Sequence, residues 1–86
     1  MQFDGAVIKE QGVTFAIVIV KPHVFNSSSE AERARSSFRG IFPGVPIILM
    51  AQGSGGRATY QGRPDIVRFL THISPSRIPW KTYTVN

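Results

Sequence analysis

Val45-Pro46-Ile47-Ile48-Leu49-Met50-Ala51 is apolar without a break. A strand half-exposed to water would alternate apolar and polar residues. This run does not, so it predicts a strand covered on both faces. Gly53, Ser54, Gly55 and Gly56 follow as turn residues, and then come a short alternating run and a helix. This order indicates a fold but not a reaction.

Upstream, Val13-Thr14-Phe15-Ala16-Ile17-Val18-Ile19-Val20 has the same character. Six of its eight residues are β-branched, which disfavours a helix and suits a pleated sheet. It is expected to be a central strand. Ala6 to Lys9 is expected to pair with it as a short edge strand across a turn at Glu10-Gln11-Gly12, with Met1 to Asp4 as a loose start. Lys21-Pro22 ends the second strand.

Between the two apolar strands lies a helix. Ser27 with Glu30, or Ser29 with Glu32, can form its N-terminal cap. Ala31, Ala34, Phe38 and Ile41 or Phe42 fall at helical spacing, while Arg33, Arg35 and Arg39 lie off that stripe. Gly40 to Gly44, with Pro43, stops the helix. A strand-helix-strand unit of this kind predicts parallel strands and a right-handed crossover. Arg57 to Gln61 predicts an antiparallel strand and Gly62 its end. Pro64 opens a second helix with Ile66, Phe69, Leu70 and Ile73 as its apolar stripe. Arg77 to Lys81 is expected to be an extended tail, and Thr82 to Val85 a terminal strand.

The expectation is one α/β domain over residues 1–86. It has a small βαββα core, an N-terminal hairpin strand, a mixed sheet of four to five strands and two helices. From Gly44 to Met50 the chain resembles the C-terminal half of the thioredoxin-like superfamily. In that family a proline precedes a buried strand, and a turn, an antiparallel strand, a glycine and a last helix follow. The resemblance spans roughly residues 13 to 73 in element order. It implies a cis bond at Val45-Pro46 and a part for Pro46 in binding an extended substrate, whereas X–Pro bonds in general favour trans. The family's redox chemistry does not carry over, because it needs a Cys-x-x-Cys pair and this chain has no cysteine.

The absence of cysteine also removes disulfides, thiolate metal ligands and thiol nucleophiles. It fits a cytoplasmic setting, as does an N-terminus that does not read as a signal peptide. The run from Val13 to Val20 is too short to cross a bilayer, so no membrane partner is expected. Two histidines, His23 and His72, and five scattered acids offer no metal-ligand spacing and no paired carboxylates, so no cofactor or metal is expected. An enzyme using His23 with Ser27 can be drawn, but no third member of a triad is legible. The glycine loop before Arg57 lacks the Lys-Ser/Thr and the following helix of a phosphate-binding loop.

What remains is binding. The chain carries ten basic and five acidic residues, a net charge of +5, and seven of the ten bases are arginine. These are dispersed and form no run. Tyr60, Trp80 and Tyr83 lie among Arg57, Arg63, Arg77 and Lys81, a mixture found at protein interfaces and on surfaces that stack nucleic-acid bases. The candidate binding residues are Pro46, Arg57, Tyr60, Arg63, Trp80 and Tyr83. The leading expectation is a non-catalytic domain that binds another protein or a second copy of itself as a homodimer. The alternative is binding of nucleic acid or another polyanion.

Overall fold

The computed structural model describes residues 1–85. Among these, five strands form one mixed sheet: β1 (Gln2–Glu10), β2 (Val13–Ile19), β3 (Ile47–Gln52), β4 (Ala58–Gln61) and β5 (Lys81–Thr84). Their order across the sheet is β4-β3-β2-β1-β5. Two helices, α1 (Ser28–Phe38) and α2 (Pro64–Leu70), complete an α/β fold. β2 and β3 are parallel and every other neighbouring pair is antiparallel.

Each helix covers one face of the sheet. On the first face Ala16, Val18, Ile47 and Leu49 pack with Ala31 and Phe38 of α1 and with Phe42. On the second, Phe15, Ile17, Ile48 and Met50 pack with Ile66 and Leu70 of α2 and with Ile78. This explains the unbroken apolar runs. Along Phe15–Val18 of β2 and Ile47–Ala51 of β3 successive side chains enter opposite cores, so these stretches leave no position for a polar residue. Each fully buried Leu, Ile or Phe contributes about 1.5–3 kcal/mol.

The hairpin between β1 and β2 turns on two residues, Gln11 (φ 50°) and Gly12 (φ 81°). Both are left-handed, the geometry that matches the twist of the flanking strands. The first helix takes the Ser27 cap: its side chain accepts a hydrogen bond from the Glu30 amide at 3.1 Å.

Three expectations are corrected and one open point, the Val45–Pro46 isomer, is decided. Residues 2–4 are not a loose start. β1 runs for nine residues because β5 returns to pair with Gln2 to Gly5, ahead of the span Gly5 to Glu10 that pairs with β2. β3 begins at Ile47, two residues later than the apolar run. Pro46 has no amide to offer the ladder, although its carbonyl accepts from Ala16 N at 2.9 Å. No peptide bond among the described residues is cis, so Val45–Pro46 is trans. Residues 77–81 are not an extended tail. A 3-10 turn spans Pro75–Arg77, and Ile78 plugs the second core.

Candidate interaction edges

β4 and β5 form the two borders of the sheet. In an antiparallel pair the backbone bonds of successive residues alternate between one neighbour and the other side. At β4 the phase is set by the loop, where Gly53 N donates to Arg57 O at 2.8 Å. In that phase Thr59 and Gln61 bond across to Ala51 and Leu49. The N–H and C=O groups of Ala58 and Tyr60 therefore point outward. At β5 the phase comes from the Met1–Val85 pair, in which each backbone nitrogen donates to the other residue's carbonyl at 2.8 Å. Thr82 and Thr84 then point outward.

Five of the six candidate residues are divided between these borders. Arg57 and Tyr60 line one groove of about 320 Å³ with Leu70, Thr71 and Ile73, on the α2 side of β4. The Tyr60 ring packs on the second core. Its hydroxyl is buried and has no hydrogen-bond partner among the described residues. Burial pushes the pKa of that hydroxyl above its ordinary value, so it stays a neutral donor. Arg63 sits at the N-terminus of α2, where it bonds Asp65 at 2.8 Å and holds that carboxyl below the usual range.

Trp80 and Tyr83 lie at the far border. The indole of Trp80 donates to Pro75 O at 2.9 Å and its ring packs on the second core. Tyr83 is on the first face, stacked on Phe3 at 5.1 Å between centroids and edge-on to Phe42 at 5.3 Å. Lys81 Nζ lies 5.5 Å from the Tyr83 ring centre. Pro46 marks the entry to β3, away from both groups. The aromatic and basic residues of the C-terminal third thus form no single patch.

Arg35 has a role that was not expected. Although it lies off the apolar stripe of α1, its side chain is only 15% exposed. Its Nε donates to Ile47 O at 3.1 Å, and its Nη2 donates to the backbone and side-chain oxygens of Gln61. Nη1 pairs with Glu32 at 2.7 Å. One guanidinium therefore ties α1 to the start of β3 and the end of β4. Arg39 and then Arg35 hold the Glu32 carboxyl below its ordinary range. The Glu32–Arg35 spacing is legible in the sequence as an i,i+3 pair. The reach to Gln61, 26 residues on, is not.

β1 also has an open stretch. β5 pairs with it only as far as Gly5, because Trp80 N turns back to Ile78 O at 2.8 Å. Val7 and Lys9 there face a groove of about 430 Å³ lined by Phe69, Ile73 and Ile78. This opening is short, with Pro79, Arg77 and Lys9 around it, residue types that discourage strand pairing.

The residues of the drawn enzyme site are engaged otherwise or lie in the open. Ser27 Oγ caps α1, and His23 is exposed on the turn Pro22–Asn26. Among the described residues no three of His, Asp and Glu are grouped to hold a metal ion, and no helix is long and apolar enough to cross a membrane. Compared with models of protein families, with curated proteins and with solved structures, the chain finds no match in any of the three.

Proposed function

We propose that the chain is a non-catalytic interaction domain that binds another protein, a second copy of itself included, by accepting a β-strand on an open sheet edge. One observation carries this reading. β4 presents the outward backbone groups of Ala58 and Tyr60, and its four residues, Ala58-Thr59-Tyr60-Gln61, include no charge and no proline. Edges of monomeric proteins are usually blunted by such residues, since unpaired backbone groups template a further strand. Strand addition takes its affinity from main-chain hydrogen bonds and its selectivity from side-chain pockets beside them. Here Arg57, Tyr60 and the groove under α2 would supply the selectivity. A cytoplasmic setting suits this reading, because the fold carries no disulfide to protect it. Polyanion binding draws less support, since Arg35, Arg39 and Arg63 are engaged with carboxylates of the chain itself.

The test is selection of random extended heptapeptides on the full chain and on Ala58→Pro. The Ala58 amide points away from β3, so proline there leaves the β3–β4 ladder whole and removes only the outward donor. Arg57 already has the extended backbone (φ −71°, ψ 131°) that a residue before proline needs. The expected result is enrichment of β-branched and aromatic peptides that no longer bind Ala58→Pro. Absence of enrichment, together with a strict monomer at millimolar concentration by light scattering, overturns the reading.

A further inference from the structure

We infer that the strand accepted by β4 is β4 of a second copy, running antiparallel about a two-fold axis at Thr59. This rests on the strand-acceptor reading above and goes on to name the occupant and its register. Ala58 and Tyr60 carry the outward groups, so in a symmetric pair these residues must meet the same set in the partner. The centred register sets Ala58 against the partner's Tyr60, Thr59 against the partner's Thr59, and Arg57 against the partner's Gln61.

Two of these contacts are complementary. On the α2 side a half-buried tyrosine ring meets a methyl group, large against small. On the other side Thr59 is exposed, and threonine pairs across antiparallel strands are favourable. Arg57 is exposed and has no ion pair among the described residues, and in the dimer it lies opposite the partner's Gln61.

The neighbouring registers lack this fit. Shifting one way stacks Tyr60 on the partner's Tyr60 and brings Ala58 to the partner's Gly62, which is packed tightly on Ile48. Shifting the other way draws the two Arg57 side chains toward each other. In the centred register the two arginines are four residues apart along the strands, about 14 Å. The product is a continuous sheet with β5 at both outer borders. Only a short strand meets its copy, so the interface belongs to the small class below about 1,200 Å² and the dimer depends on concentration.

The chain has no cysteine, so a single engineered thiol reports the register without competition. Thr59 and its counterpart form a non-hydrogen-bonded pair with Cα atoms about 4.5 Å apart, within disulfide range. Thr59→Cys is expected to form a disulfide-linked dimer under mild oxidation about tenfold faster than Arg57→Cys, whose two thiols lie beyond reach. Hydrogen exchange at the Ala58 and Tyr60 amides should slow as the protein is concentrated, while Thr82 and Thr84 exchange unchanged. Thr59→Cys linking no faster than Arg57→Cys, or amides at Ala58 and Tyr60 indifferent to concentration, overturns the inference. If peptides still bind β4 in that case, the strand-acceptor reading stands and only the occupant is wrong. If they do not, both fall.

Discussion

The two borders of the sheet are both four-residue strands, yet they are held in different ways. β5 is fixed by side chains. Tyr83 stacks on Phe3, and Phe3 meets Phe38 edge-on at 4.9 Å, so the border is clamped to the end of α1 by an aromatic cluster. β4 is held by Ala58 and Tyr60 packing on the second core and by one guanidinium gripping its last carbonyl, and its four residues carry no charge. The rings beside β5 occupy one face of that border, and its outward backbone groups at Thr82 and Thr84 follow a lysine, Lys81. β4 combines outward backbone groups with a strand free of charge and proline, which leaves its outer side open to another strand.

The comparison can be broken first at Gly5, which lies beneath the aromatic clamp. A Cβ there would stand 2.8 Å from Ile17 O, a backbone atom, with the Phe3 and Tyr83 rings at 3.4 and 3.5 Å. Gly5→Ala is expected to cost about 1–3 kcal/mol, at the upper end because the clash is with backbone. Urea unfolding would read this as a lower midpoint. Next comes Arg35→Met, which keeps the aliphatic packing but leaves the Ile47 and Gln61 carbonyls short of a donor. It should cost about 1–2 kcal/mol and speed amide exchange in β4 while β5 stays protected. Equal loosening of both borders would show that they are not held independently.

Tyr83→Leu removes the stacked ring and keeps an apolar side chain. A loss of about 0.5–1.5 kcal/mol is expected, confined to β5 in exchange measurements. The smallest effect belongs to Glu32. Its pKa lies below the ordinary 4.5 because Arg39 and Arg35 hold the carboxylate. The stability it contributes is therefore complete above that ordinary value and is lost as pH falls through the lowered one. Glu32→Gln should lower the unfolding midpoint slightly at neutral pH, where the contribution is complete, and leave it unchanged at the acid end, so that the acid limb flattens. The effect is small because the pair is exposed.

Much of the architecture was legible because it follows from local chemistry. The doubly buried strands, the hairpin at Gln11-Gly12, a serine cap at Ser27 or Ser29, the Ala31–Phe38 stripe and the proline-led second helix each depend on residues close in sequence. The place of β1 in the sheet was not legible. Whether Gln2 to Gly5 is frayed or paired depends on a strand about 80 residues away, and nothing in Phe3 or Asp4 announces that partner. The binding residues divide in the same way. Arg57 and Tyr60 come together because one strand carries both. Trp80 and Tyr83 were near them only in sequence, and their places in the fold put them at the other border.

By itself, then, the sequence determined the α/β character, the parallel crossover through Val45 to Ala51 and the exclusion of cysteine chemistry. Periodicity and residue type act over a few residues and need no partner to be read. Only the tertiary structure decided which strands are borders, that Arg35 grips the β3 and β4 carbonyls, and that Ala58 and Tyr60 present their backbone outward. Hydrogen-bond phase at a sheet edge depends on which neighbour is present, and strand order is set by contacts between residues far apart in the chain.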